Sequence, residues 1–406
     1  MVVTVMLLIT VLPALSSAEE LQAGKVLVAV YAAGGSLETD YGLIADDISQ
    51  MVTGAANTTP ETLELLVAYG GSQKPGWEGM TIMNRSGLAL DLADGELGNR
   101  SYAIASYPQA NMGNGSSLGT FLTAIRSGYQ YDRVFLILIG HGEAYTGMLF
   151  DQNHDEDPLS IAEMVDGLED GGFNVEVIGL DTCLMGTLEV VSQLSGYTRY
   201  LIASEESEPA EGWRYDSFIS YLASHPDAPI VDLGNSLLKT YFENPALGKT
   251  LSVLDLDEAG VVTSSLEKLS KLTTTLLDTP EGYNSLTDAF HTTQQFGLTS
   301  DGVLDPATMD LIGFAEAISS REPDLADSAT ELINASEKMI LLSGHDARVP
   351  GARGIAILSP VQINSGFYRY YHDEAFITPS WDRFLVRYLD INDHQATMIP
   401  FEKNST

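Results

Sequence analysis

From residue 25 onward the chain repeats one pattern. A short run of Val, Leu, Ile and Ala ends at glycine or at a reactive polar residue, and a stretch with helical spacing follows. The runs are "KVLVAVYAAGG" (25–35), "TLELLVAYGGSQ" (62–73), "RVFLILI" (133–139), "NVEVIGL" (174–180) and "RYLIAS" (199–204). Apolar at nearly every position, they predict parallel strands buried on both faces rather than alternating surface strands. Between them, Ile44, Ile48 and Met51 fall on one helical face, as do Leu118, Phe121, Leu122 and Ile125. "SIAEMVDGLEDGG" (160–172) opens with a Ser160/Glu163 capping box and closes on Gly. "LMGTLEVVSQL" (184–194) reads as an amphipathic helix, and "GMTIMNRSGLALDL" (79–92) as a hairpin. Strands alternating with helices give an α/β domain with a mostly parallel central sheet flanked by helices, over about 25–245. Residues 246–406 are mainly helical ("DEAGVVTSSLEKLSKLTTTLLD", "DLIGFAEAI", "DLADSATELINASEKMILL"), with "GIAILSP" and "SWDRFLVRYL" strand- or helix-like. With no low-complexity linker before them, they are expected to pack on the first part and complete the fold.

Charge excludes one class of partner. Asp and Glu number 56 against 20 Lys and Arg, a formal net charge of −36, so no basic face is available for nucleic acid. The acidity fits solubility in a salty medium, binding of divalent cations, or steering of cationic substrates. Residues 1–18 carry an apolar core from Val2 to Leu15, then Ser16 and Ala18, and read as a signal peptide, although no Lys or Arg precedes Lys25. The run is too short to span a bilayer. Six Asn-x-Ser/Thr sequons (Asn57, Asn84, Asn99, Asn114, Asn334, Asn404) also fit export. A secreted or cell-surface monomer without a membrane span is expected.

Cys183 is the only cysteine, so no disulfide can form within the chain. Its bland reading is a small buried hydrophobe. Position favours another. "RVFLILI" runs into "GHG", placing His141 just past a strand, and "NVEVIGL" runs into "DTC", placing Cys183 at the matching place. Ligands of open α/β sheets bind at the carboxyl ends of strands. If these two strands are neighbours, the thiol and the imidazole meet there, as nucleophilic catalysis requires. Cys183 would be the nucleophile and His141 the base, then the acid to the leaving amine. A helix starting at 184 would favour the thiolate. The N–H groups of Gly142 and Cys183 would form an oxyanion hole.

The segments "FLILIGHG" and "VEVIGLDTCLMGTLEVV" resemble the clostripain family of cysteine peptidases, in the caspase-like clan that includes legumains and gingipains. "VAVYAAGGSLETD", "NMGNGSSLGTFL", "YLIASEESEPAEGWRYD", "TLSVLDLDE" and "GIAILSP" extend the resemblance over roughly 25–360. It implies a caspase-like layered sandwich, a Cys183–His141 dyad that requires no cofactor, and hydrolysis of peptide or protein substrates after Arg or Lys. A basic P1 residue needs an acidic pocket. Asp181, two residues before the thiol, is the first candidate, with a helix N-cap as its alternative role. Glu205 and Glu206 are the next, with a solvated acidic loop as theirs. Some family members cut themselves at a basic residue between the His and Cys strands. Residues 142–182 contain no Lys or Arg, so a single-chain enzyme, or activation by cutting elsewhere, is expected.

"DQNHDEDPLS" sets Asp151, Asn153, Asp155 and Asp157 at alternate positions, like the start of an EF-hand loop. The sixth position is Glu156 rather than Gly and the twelfth is Ala162. That leaves a looser calcium site or an exposed acidic loop capping the next helix; some clostripain relatives depend on calcium. Two other functions remain open on sequence: a non-catalytic acidic calcium-binding surface glycoprotein, and an amidase or transferase using the same dyad.

Overall fold

The computed structural model describes residues 22–398 except 96, 173, 247, 299–303, 362–370 and 372–377. The signal segment 1–18 and Asn404 lie outside the described residues. The strands are β1 Gln22–Ala33, β2 Leu63–Gly70, β3 Met80–Asn84, β4 Ala105–Tyr107, β5 Tyr129–Ile139, β6 Met148–Asp151, β7 Asp157–Leu159, β8 Val175–Asp181, β9 Thr198–Ala203, β10 Thr250–Asp255, β11 Gln295–Leu298, β12 Leu304–Asp310, β13 Ile340–His345 and β14 Ala356–Leu358.

Nine of them form one sheet in the order β13-β10-β9-β8-β5-β1-β2-β3-β4. The five central strands, β9, β8, β5, β1 and β2, are parallel. The two outer strands on each side are antiparallel. The sheet is therefore mixed, with a parallel centre and antiparallel flanks. The apolar runs gave the buried parallel centre, but edge strands alternate and are short, so their direction left little trace. β11, β12 and β14 form a separate antiparallel sheet, and β6 pairs with β7.

Burial on both faces explains the unbroken runs. In β1, Leu27, Ala29 and Tyr31 join one hydrophobic cluster, and Val26, Val28 and Val30 join the other. Each buried Val or Leu side chain contributes about 1.5–3 kcal/mol by leaving water. The helices Gly115–Gly128 and Ile161–Gly171 cover the first face, through Leu118, Phe121 and Leu168. Leu43–Gly54, Tyr215–Ser224 and Ile230–Glu243 cover the second, through Ile48, Phe218 and Leu237. The capping box at Ser160 and Glu163 is formed.

The C-terminal region is helical at Ala259–Leu276, Pro280–Thr292, Leu311–Arg321, Ala326–Met339 and Pro379–Met398. It also supplies β10 and β13 to the central sheet, so the chain beyond residue 245 is continuous with the first core. Two local expectations change. The stretch 79–92 is β3 followed by the helix Arg85–Ala93, not a hairpin. Asn84 caps that helix by accepting from Gly87 N (3.0 Å). The helix after the cysteine begins at Leu188, capped by Thr187, rather than at 184.

Candidate active site

β5 and β8 are neighbours, and Ile139 pairs with Asp181. Two residues further along each strand direction lie His141 and Cys183, and both line one cleft of about 130 Å³. Gly142 fixes how closely their backbones approach. A Cβ there would overlap the carbonyl oxygen of Cys183 and lie 3.0 Å from its nitrogen. Gly142 also bridges to Met148. The bridge is closed by Leu149 N–H to His141 O and Glu143 N–H to Gly147 O, both 2.9 Å. That pattern leaves the N–H of Gly142 itself outside the ladder.

The thiol does not sit on a helix N-terminus. Leu184 has φ +63° and breaks the chain away from β8 before the helix begins at Leu188, so the dipole support expected of a helix starting at 184 is missing. Instead the segment after β9 folds over the thiol, and Glu208 N–H donates to Sγ at 3.2 Å. Burial pushes the Cys183 thiol up; the Glu208 N–H opposes this, while Asp181 and Glu206 add to it. Burial also pushes His141 down, against the pull of Glu143 and Glu156. Both shifts favour a resting pair of neutral thiol and neutral imidazole. The imidazole Nε2 lies 2.8 Å from Ser36 Oγ.

Asp181 lines the same cleft, 5% exposed. Its Oδ2 accepts from Tyr215 OH (2.7 Å) and Trp213 N (3.2 Å). Two carboxyls that sequence reasoning missed join it in the lining, Glu208 and Asp47. Trp213 Nε1 donates to Glu208 Oε2 at 3.2 Å. Burial raises Asp181, and raises Glu208 well above the carboxylate range with Asp181 adding to the effect. Asp47 is raised by burial first, then by Asp181, Asp46 and Glu38. Glu208 left a weak signal, as the last acid of "EESEP" at a proline turn. Asp47 left none, since it reads as one more polar position of an amphipathic helix.

Glu205 and Glu206 are not in the cleft lining. Glu205 is fully buried; its Oε2 accepts from Gly354 N (2.9 Å), and its carboxyl shares a hydrogen bond with Asp310. Glu206 accepts from Ser207 N (2.8 Å) and Gly297 N (3.2 Å). Each accepts from a backbone N–H of the C-terminal region, Gly354 for Glu205 and Gly297 for Glu206.

The side chains of Asp151, Asn153 and Asp157 are engaged within the fold. Asp151 is fully buried, accepting from Met112 N (2.7 Å) and Asn153 N (2.8 Å), with His154 at 3.2 Å. Asn153 donates to Ser72 O (3.0 Å), and Asp157 accepts from Asn111 Nδ2 (2.5 Å). Asp155 has φ +57° and ends a 3-10 turn. Among the described residues no group of three or more His, Cys, Asp or Glu side chains is placed to hold a metal. The loop's oxygens tie β6 to the segment around Met112.

A mixed α/β sheet with a parallel centre, carrying a histidine and a lone cysteine at adjacent strand ends with a carboxyl-lined cleft beside them, defines a layered protein of the caspase-like kind. The sequence profile of the Clostripain family matches residues 30–365, and the chain belongs to that family. Clostripain of Hathewaya histolytica is 27% identical over 201 residues, covering 43% of this chain and 38% of that protein. The chain thus aligns with well under half the length of that relative. Two structures share the fold. A secreted C11 cysteine protease from Bacteroides thetaiotaomicron superposes with a TM-score of 0.63 at 16% identity, over 89% of this chain and 99% of that one. An inactive zymogen C11 protease from Parabacteroides distasonis gives 0.62 at 15%, over 91% and 99%. Among the described residues no helix is long and apolar enough to cross a membrane.

Proposed function

We propose that this protein is a cysteine endopeptidase that hydrolyses the bond after Lys or Arg in peptide or protein substrates. The observation that carries the reading is the pairing of β5 with β8, which sets His141 and Cys183 in one carboxyl-lined cleft with Gly142 packed against the Cys183 backbone. His141 takes the Cys183 proton as sulfur attacks the scissile carbonyl carbon. The N–H groups of Gly142 and Cys183 hold the oxyanion that forms. His141 returns the proton to the departing amine, leaving a thioester. It then takes a proton from water, and the hydroxide equivalent frees the acid and restores the thiol. No cofactor enters these steps.

Asp181, Glu208 and Asp47 explain a preference for a cationic side chain. Burial and mutual repulsion raise all three, and a guanidinium or ammonium entering beside them favours their ionised forms. The related enzyme from Bacteroides thetaiotaomicron is described as secreted; together with the apolar segment 1–18, this supports action outside the cell.

The test is kcat/KM on fluorogenic peptides that differ only at P1. Arg and Lys should exceed Asp by about 100-fold or more, because a like charge against the carboxyls costs several kcal/mol. Equal rates for Asp would overturn the specificity. No cleavage of any peptide, with Cys183→Ala behaving as the parent, would overturn the peptidase reading and favour the non-catalytic glycoprotein. Turnover of non-peptide amides alone would favour the amidase or transferase.

A further inference from the structure

The end of β1 is absorbed by nothing in the mechanism above, yet it meets the catalytic histidine. β1 pairs with β5 so that Ala32 lies beside Ile139. Two residues on, Gly34 and Gly35 lie level with His141, and the chain turns there into the helix Gly35–Tyr41. Gly35 has φ +48°, and a Cβ on it would lie 3.6 Å from His141 Cδ2. The turn is tight enough to bring the next side chain, Ser36, onto the imidazole, with Oγ 2.8 Å from Nε2.

A neutral imidazole has one N–H and one lone pair, and which nitrogen holds which is decided by the partner of the other. Ser36 is a hydroxyl and can accept. A backbone carbonyl would do the same, but among the described residues the hydroxyl is the ring's one hydrogen-bond partner. We infer that Ser36 is a positioning residue that accepts the Nε2–H of His141, so that the Nδ1 lone pair is the one presented to Cys183. This inference rests on the Cys183–His141 dyad proposed above.

The arrangement serves both protonation states. With the imidazole neutral, Ser36 selects the tautomer that can act as base. With the imidazole charged, the same hydroxyl keeps the Nε2–H paired in a half-buried site where an unpaired donor is costly. Glu143 and Glu156 favour the cation, Cys183, Asp181, Glu208 and Asp47 line the same cleft as the ring, and burial opposes the charge. Ser36 therefore acts on the thiol through the ring, without touching the substrate.

Two readouts test this without depending on turnover. The first is the nitrogen NMR spectrum of labelled His141 at neutral pH, expected to show the Nε2–H tautomer in the parent and a mixture in Ser36→Ala. The second is the pH profile of Cys183 alkylation by iodoacetamide. In Ser36→Ala the rate near neutrality should fall about tenfold, the worth of one hydrogen bond to a group that becomes charged. Its rise should also move to higher pH, and Ser36→Thr, which keeps the hydroxyl, should restore both. An Nδ1–H tautomer in the parent, or a Ser36→Ala profile identical to the parent's, overturns the inference. The dyad fails separately, if His141→Ala alkylates as the parent does.

Discussion

At the scale of single residues, the site is a set of groups whose protonation is set by burial. Burial and neighbouring acids raise the Cys183 thiol, and burial lowers the His141 imidazole from its ordinary 6.5. The base is lost only when His141 takes a proton, so the acid limb of kcat/KM should have its midpoint below 6.5. A midpoint above that value, measured across a pH series on an Arg substrate, would contradict the burial argument. Asp181→Asn should raise KM for Arg and Lys peptides about tenfold with a smaller change in kcat, as loss of a charge that binds ground and transition states alike. Legibility at this scale followed distance in sequence. Cys183, His141, Gly142 and Asp181 sit at strand ends, where the chain itself announces them. Ser36, Asp47 and Glu208 come from a turn, a helix face and a loop, and only the folded chain brings Asp47 and Glu208 into the cleft and Ser36 onto the His141 ring.

Among the elements, the sheet centre and most helices followed from periodicity, and the failures have specific causes. "LMGTLEVVSQL" keeps its apolar spacing back to Leu184, yet the positive φ at Leu184 and the Thr187 cap delay the helix. The hairpin expected at 79–92 gives way to a helix because Asn84 caps it. The partners of Glu205 and Glu206, Gly354 and Gly297, lie about a hundred residues or more away, a distance at which sequence pattern carries no signal. The Glu205–Asp310 pair joins the end of β9 to the small C-terminal sheet. Burial raises both, Asp310 to about 6 and Glu205 well above its usual range. Raised carboxyls bind protons more tightly folded than unfolded, so their contribution is full in acid and is lost as pH rises through those values. Glu205→Gln should therefore melt higher than the parent above about pH 6 and show a shallower fall in melting temperature with pH. Identical pH curves for the two would remove the pair from the stability account.

For the whole molecule, the acidic composition and the fold make two joint predictions. The span between the histidine and the cysteine, 142–182, offers no Lys or Arg. An enzyme specific for basic residues should then remain uncut there, and intact-mass spectra of the active protein after long incubation should show no break between Gly142 and Thr182. Calcium is the second. The side chains of Asp151, Asn153 and Asp157 are engaged within the fold, so chelation should leave kcat/KM unchanged; a loss reversed by added calcium would place a cation site elsewhere in this acidic surface. The most direct measurement of the central claim is covalent. The protein is treated with a peptidyl chloromethyl ketone carrying Arg at P1, and the adduct is mapped by peptide mass spectrometry. The account predicts one adduct, on Cys183, formed much faster than with Asp at P1 and lost in His141→Ala. Labelling indifferent to P1 charge, or unaltered by His141→Ala, would contradict it.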